Sequence, residues 1–151
     1  MNISDLLSGI KGFKFTIPGK PKAKARPRVT KKGVFTPKST KDYELYVRAC
    51  YKEQKGRHLG NSPVMLMVTA FFPIPKSFSK QDRIAAIIGE IQPGKRPDGD
   101  NIYKIIADAL NGAAYKDDSQ IVIGIFMKRY GEKPRVEVTL SEVKKCEKII
   151  R

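Results

Sequence analysis

An α+β fold in one small domain spanning residues 1–151 is what the sequence predicts, and two observations carry it. At 151 residues the chain can bury a real core but is short for two ordinary domains. It holds about four segments patterned as strands and about three patterned as helices, with no internal repeat and no separating linker. Thirty Lys and Arg against fifteen Asp and Glu leave a net charge of +15. An imbalance of that size on one domain favours a polyanionic partner, most often nucleic acid. A ribosomal or chromatin-like packing protein and a merely cationic surface are the alternatives.

Taken in order, FKFTIPG alternates Phe13, Phe15 and Ile17 with Lys14 and Thr16, a half-buried strand stopped at Pro18-Gly19. From about 19 to 40 the chain reads GKPKAKARPRVTKKGVFTPKST, with Lys20, Lys22, Lys24, Arg26, Arg28, Lys31, Lys32 and Lys38 and no acid. Pro21, Pro27 and Pro37 exclude helix. The block therefore reads as an extended arm or a long hairpin around Lys32-Gly33, with Val34 and Phe35 as anchors to the body. A structureless loop of more than about 12–15 residues is more often functional or disordered than neutral, and this charge favours phosphate binding over a solvated loop.

Ser39 and Thr40 offer N-caps to a helix whose Tyr43, Tyr46, Val47, Cys50 and Tyr51 recur at core spacing. That spacing favours packing over base stacking for the tyrosines. VMLMVTAFFPIP, apolar on both faces from Val64 to Phe72, reads as a central strand ended by Pro73 and Pro75. Ser79 to Asp82 resembles a capping box with Phe78 as staple, opening a helix whose Ile84, Ile87, Ile88 and Ile91 form one stripe and which ends near Gly89 or Ile91. IVIGIFMKRY and RVEVTLSEV supply two further strands, and a tail from about residue 144 is expected to fray.

Cys50 and Cys146 form no metal-binding motif, so structural zinc and a disulfide framework are disfavoured and a reducing, cytoplasmic location fits. No apolar run approaches the roughly 20 residues of a membrane span, and the N-terminus lacks a signal-peptide pattern. His58 stands alone in a polar loop.

Against the basic background, five of the eight aspartates fall in Lys95–Gln120, KRPDGDNIYKIIADALNGAAYKDDSQ. On a wheel of about 100° per residue measured from Asp100, Ile102, Ile105, Ile106, Ala109 and Leu110 lie between about 140° and 280°, while Lys104 and Asp108 fall near 40° and 80°. Asp100, Lys104 and Asp108 thus face away from the core. Asp100 is placed to N-cap this helix, Lys104 to pair with Asp108, and Gly112 to follow the helix end. Capping leaves Asp98 unexplained. Two carboxylates about 4 Å apart repel by roughly 4 kcal/mol at an effective dielectric of 20, so a cation belongs between Asp98 and Asp100, and a hard divalent ion such as Mg²⁺ fits better than Lys or Arg. The helix is about 16 Å long and the seven residues from Gly112 to Asp118 span up to about 24 Å. A loop can therefore return Asp118, or Asp117, to the Asp98/Asp100 end. Three carboxylates on a basic domain point to metal-assisted phosphodiester hydrolysis, with Lys104 on the scissile phosphate or the attacking water.

The run Asp98-Gly-Asp-Asn-Ile-Tyr-Lys104, then Asp108-Ala-Leu-Asn, then Tyr115-Lys-Asp-Asp118-Ser-Gln, resembles the signature of RusA-type Holliday junction resolvases, small endodeoxyribonucleases of phages and prophages that act in recombination and repair. The GKPKAKARPR arm and the PIPKSFSK helix start extend the resemblance over most of the chain. It implies a mixed sheet flanked by helices, a homodimer, branched DNA as partner and Mg²⁺ as cofactor, with Mn²⁺ as a substitute. It maps the catalytic and metal-binding acids to Asp98, Asp100 and Asp118 and the catalytic lysine to Lys104, with Asp117 in support; Asn101, and Asp108 as the partner of Lys104, are further supporting candidates. Gly99 departs from relatives, which often carry Leu there, and is expected to loosen the backbone between the paired acids. A dimer suits a four-way junction, whose two equivalent strands match two equivalent sites. A junction-binding architectural protein and a less selective flap or single-strand nuclease are the competing readings.

Overall fold

Residues 7–144 are described by the structure, a computed structural model. The four expected strands form one sheet: β1 (Phe13–Pro18), β4 (Val64–Pro73), β5 (Ile121–Gly131) and β6 (Arg135–Glu142), in the order β1-β6-β4-β5. β6 runs antiparallel to both β1 and β4, whereas β5 lies parallel to β4. The sheet is thus mixed, and the β4–β5 connection is long enough to carry two helices. β4 is central and its residues Val64–Ala70 are all buried, as its unbroken apolar run requires.

The three expected helices are α1 (Lys38–Glu53), α2 (Lys80–Ile87) and α3 (Gly99–Ala109). α1 and α3 pack on each other and on one sheet face. There Tyr43, Val47, Cys50 and Tyr51 meet Phe15, Ile17, Leu66, Val68, Ile105, Ile106 and Leu110 in the main core. Tyr43 and Tyr51 are core residues, and Tyr46 is half-exposed with its hydroxyl donating to Pro18 O at 2.9 Å. Burial pushes the Tyr43 phenol up to about 12 and the Cys50 thiol upward.

Several local expectations are corrected. α1 begins after Pro37, so Ser39 and Thr40 lie inside it, and Thr40 Oγ1 instead accepts from Ala25 N at 3.4 Å. The basic block is an extended run followed by a short ribbon, β2 (Arg28–Thr30) and β3 (Gly33–Phe35), turning at Lys31-Lys32 with Gly33 at φ 125°. Val34 and Phe35 are exposed rather than anchoring, and Val29, paired with Val34, is 81% exposed. Ser79 does cap α2, accepting from Asp82 N at 3.1 Å, and the helix ends at Ile87 before Gly89 (φ 87°). Its Ile84, Ile87 and Ile88 face outward, however, and only Ala86 is buried. The stripe specified a face without specifying a partner for it. Phe78 and Ile91 pack with Ala70, Phe72, Ile102 and Tyr130 in a second cluster.

His58 lies in the loop before β4, its Nδ1 accepting from Gly60 N at 2.9 Å. No helix among the described residues is long and apolar enough to cross a membrane. Cys146 and the tail beyond Lys144 lie outside the described residues.

Candidate active site

α3 carries the acids, and its apolar face fixes it. Ile102, Ile105, Ile106 and Ala109 are buried beneath it, as the wheel requires. Tyr103 OH donates to Leu66 O at 3.0 Å, tying the helix to β4, and burial pushes this phenol up to about 12. At the other end, Arg48 of α1 donates to Ala109 O at 2.6 Å and Asn111 O at 2.9 Å, satisfying carbonyls a helix terminus leaves without partners. Nothing in the spacing of α1 marks Arg48 for that task. Gly99 opens α3 in ordinary helical backbone. It is glycine because of space, since a Cβ there would sit 2.5 Å from the Phe126 ring of β5. Greater backbone freedom between the paired acids is therefore not its role.

The N-cap position belongs to Asp98, one of the two expected metal acids, and Asp100 lies in the first turn. The expectation that Asp100 caps the helix is thus wrong by two residues. Asp98 does not cap with its side chain either. Both residues are exposed, and among the described residues neither carboxylate takes part in an ion pair or a side-chain hydrogen bond. In a chain carrying 30 Lys and Arg, two neighbouring acids are left with their charge unspent at the positive end of a helix. Asp98 lines a groove with Ala23, Arg26, Arg96, Pro97 and Asn101. Arg96, two residues before Asp98, is a groove residue that no motif of the sequence singles out.

Further along the same face Lys104 Nζ stands 3.5 Å from Asp108 Oδ2, the expected i,i+4 pair. Asp108 also receives a short hydrogen bond from Lys24, whose ammonium reaches Glu44 Oε1 of α1 at 3.2 Å. Burial opposes the Lys24 charge, and its bonds to Asp108 and then Glu44 outweigh that, so its pKa ends raised. Lys104 keeps a side chain 59% exposed.

Asp118 opens a 3-10 turn, Asp118–Gln120, that Asp117 caps: Asp117 Oδ2 accepts from Ser119 N at 3.0 Å, and Gln120 Oε1 accepts from Asp117 N at 3.0 Å. The bond from Ser119 holds the Asp117 carboxyl below its ordinary range. Gln120 Nε2 donates to Gly60 O and Ser62 O, both at 2.9 Å, anchoring the turn beside the start of β4. Between α3 and this turn the chain winds tightly, with Gly112 N donating to Tyr115 O at 2.7 Å and the buried Tyr115 OH donating to Ala107 O at 2.6 Å. The carboxylate that Asp118 meets is therefore Asp108, in the last turn of α3, and not the Asp98/Asp100 pair at its start. Burial, then hydrogen-bonded contact with Asp108 and the charges of Asp108 and Asp117, hold Asp118 above the usual carboxylate range, with Lys104 opposing. Among the described residues no three His, Cys, Asp or Glu side chains gather closely enough to hold an ion in this conformation.

The basic arm passes over this face. Its backbone is stitched to the body by Gly19 N to Pro134 O at 3.0 Å and Lys24 N to Asn101 O at 2.9 Å, and Lys22 lies 5.7 Å above the Tyr43 ring. Lys20, Lys22, Arg26, Arg28, Lys31, Lys32 and Lys38 are exposed. Lys24, grouped with them on sequence, is turned inward.

A basic α+β domain with unspent acids beside a positively charged arm is the frame of a phosphodiester-cleaving protein, and the chain belongs to the RusA endodeoxyribonuclease family. The pattern of that family, described as Endodeoxyribonuclease RusA, matches residues 18–141, from the end of β1 through β6. The chain is also similar to the uncharacterized protein YqaN of Bacillus subtilis strain 168, at 38% identity over 137 residues, covering 87% of this chain and 96% of that protein.

Proposed function

We propose that this protein is a Mg²⁺-dependent, structure-selective endodeoxyribonuclease that resolves four-way DNA junctions by paired hydrolysis, acting as a cytoplasmic homodimer in recombination and repair. The observation that carries the reading is the Asp98/Asp100 pair, exposed and, among the described residues, without a partner at the start of α3. Capping, the ordinary use of an acid there, consumes neither carboxylate.

The donor set suits a hard ion. Mg²⁺ is commonly held by one or two carboxylates and keeps several waters, so Asp98 and Asp100 can serve as its protein ligands; Asp118, which here meets Asp108, joins them as a third only once its turn moves toward the start of α3. Mn²⁺ suits the same oxygens. When bound, the ion supplies charge stabilisation at the scissile phosphate and a more acidic water. The chain's own groups do the rest. Lys104, exposed one turn from Asp100, binds a phosphate oxygen. Arg26 and Arg96 flank Asp98 in its groove and steer the backbone toward it, while Asn101 fixes the arm through its carbonyl. Asp117 holds the turn that presents Asp118.

Cleavage of matched junction, flap and linear substrates in Mg²⁺ tests the proposal. The junction should be nicked at symmetric positions much faster than the linear duplex. Binding without nicking under any divalent ion would instead mark an architectural protein, and equal rates a less selective nuclease. The exposed arm yields a second expectation: Arg26→Ala with Arg28→Ala flattens the slope of log affinity against log salt by about 1.8, at roughly 0.9 per phosphate contact. A binding titration across salt concentrations reads it, and an unchanged slope removes these two residues from the interface.

A further inference from the structure

Lys24 is the one cation of the arm that does not face solvent. Its backbone N–H is bound by Asn101 O, and its ammonium is bound by Asp108 on α3 and Glu44 on α1. Lys22 and Arg26, two residues to either side, are exposed. Asp108 in turn contacts Lys104 and Asp118. Without the Lys24 charge, Glu44 and Asp108 would face each other, and the Asp108/Asp118 contact would keep Lys104 as its cation among the described residues. Adjacent carboxylates in that state repel and move apart.

We infer that Lys24 is a positioning residue: through Asp108 it sets where Asp118 and Lys104 stand, and so couples the DNA-binding arm to the acidic centre. The inference rests on the proposed junction-cleaving activity. The segment whose exposed Lys22 and Arg26 are placed to meet phosphate is pinned by Lys24 to the helix bearing the acids. DNA that draws on the arm therefore draws on the same joint that arranges Asp118. A residue of this kind affects the chemical step more than affinity, since misplacing reacting groups by about 1 Å costs up to about 100-fold.

The test compares the full chain as wild type, Lys24→Gln, Lys24→Arg, Asp108→Asn and the Lys24→Gln/Asp108→Asn double variant. Junction affinity is measured without divalent ion, and single-turnover nicking with Mg²⁺ at saturating protein. Lys24→Gln should lower the saturated rate by about tenfold or more while affinity changes less than about threefold, and Lys24→Arg should recover much of the rate. In the Asp108→Asn background the Lys24→Gln effect should largely vanish, as groups acting through one another are non-additive. Weakened affinity with an unchanged saturated rate would make Lys24 an ordinary phosphate contact and overturn the inference, as would independent rate losses. Thermal denaturation of the same four-protein cycle needs no activity. Coupled midpoints support the joint and additive ones overturn it, even if the wild type proves unable to cut and the proposed function fails.

Discussion

Replacing Asp100 by Asn is expected to lower the single-turnover cleavage rate of a four-way junction by about 1,000-fold or more while junction binding tightens. A divalent ion contributes several kcal/mol of charge stabilisation to such a reaction, and about 4 kcal/mol corresponds to roughly a thousandfold in rate. Asn keeps the shape of the side chain but not the anion that holds the ion. Binding responds in the opposite sense, because a carboxylate near a phosphate repels it by about 1 kcal/mol at 4 Å in water, or roughly fivefold in affinity. Asp100 sits in the exposed first turn of α3 with no partner among the described residues, so its loss should leave the fold intact. Rates under single-turnover conditions and affinities by titration separate the two effects. Weaker binding with a lowered melting temperature would make Asp100 a structural acid.

Gly99→Leu should destabilise the protein by about 1–3 kcal/mol, the usual cost of overpacking. For a chain of this size that corresponds to a fall in melting temperature of about 2–4 °C per kcal/mol. The cause is local: a Cβ at 99 lies 2.5 and 2.8 Å from two Phe126 ring atoms, and the first residue of α3 cannot retreat without carrying Asp98 and Asp100 with it. Cleavage should fall as well. Thermal denaturation of Gly99→Leu, Phe126→Val and the pair closes the cycle, with the double variant less destabilised than the sum of the singles. Additive losses would show that the ring is not the obstacle.

Much of the frame was legible because burial imposes a period on the sequence. The alternation in FKFTIPG and RVEVTLSEV and the unbroken run of Val64–Phe72 place three strands within a residue or two of their observed ends, and the wheel of α3 names the residues beneath it. Periodicity says which side of an element is apolar but not what meets it. Ile84, Ile87 and Ile88 have helical spacing and no cover, and the insertion of β6 between β1 and β4 is a tertiary choice that no single segment records.

The site divides along the same line. Acids on the outward face of α3 follow from its wheel, and the Lys104–Asp108 pair from its spacing. That Asp118 returns to Asp108 depends on how tightly Asn111–Tyr115 winds, whereas chain length set only an upper bound on the reach. Lys24 reads as one basic residue among eight until Asp108 and Glu44, distant in sequence, are brought to it. Arg48 is hidden for the same reason, its acceptors being backbone carbonyls of another helix.

Everything proposed for the reaction turns on whether the Asp98 and Asp100 carboxylates hold the divalent ion. Mn²⁺ binding followed by electron paramagnetic resonance, with wild type and an Asp98→Asn/Asp100→Asn double variant titrated side by side without DNA, tests it most directly. A bound Mn²⁺ population is expected on the wild type and not on the double variant at equal melting temperature; identical binding curves for the two proteins would show that these two acids do not hold the ion.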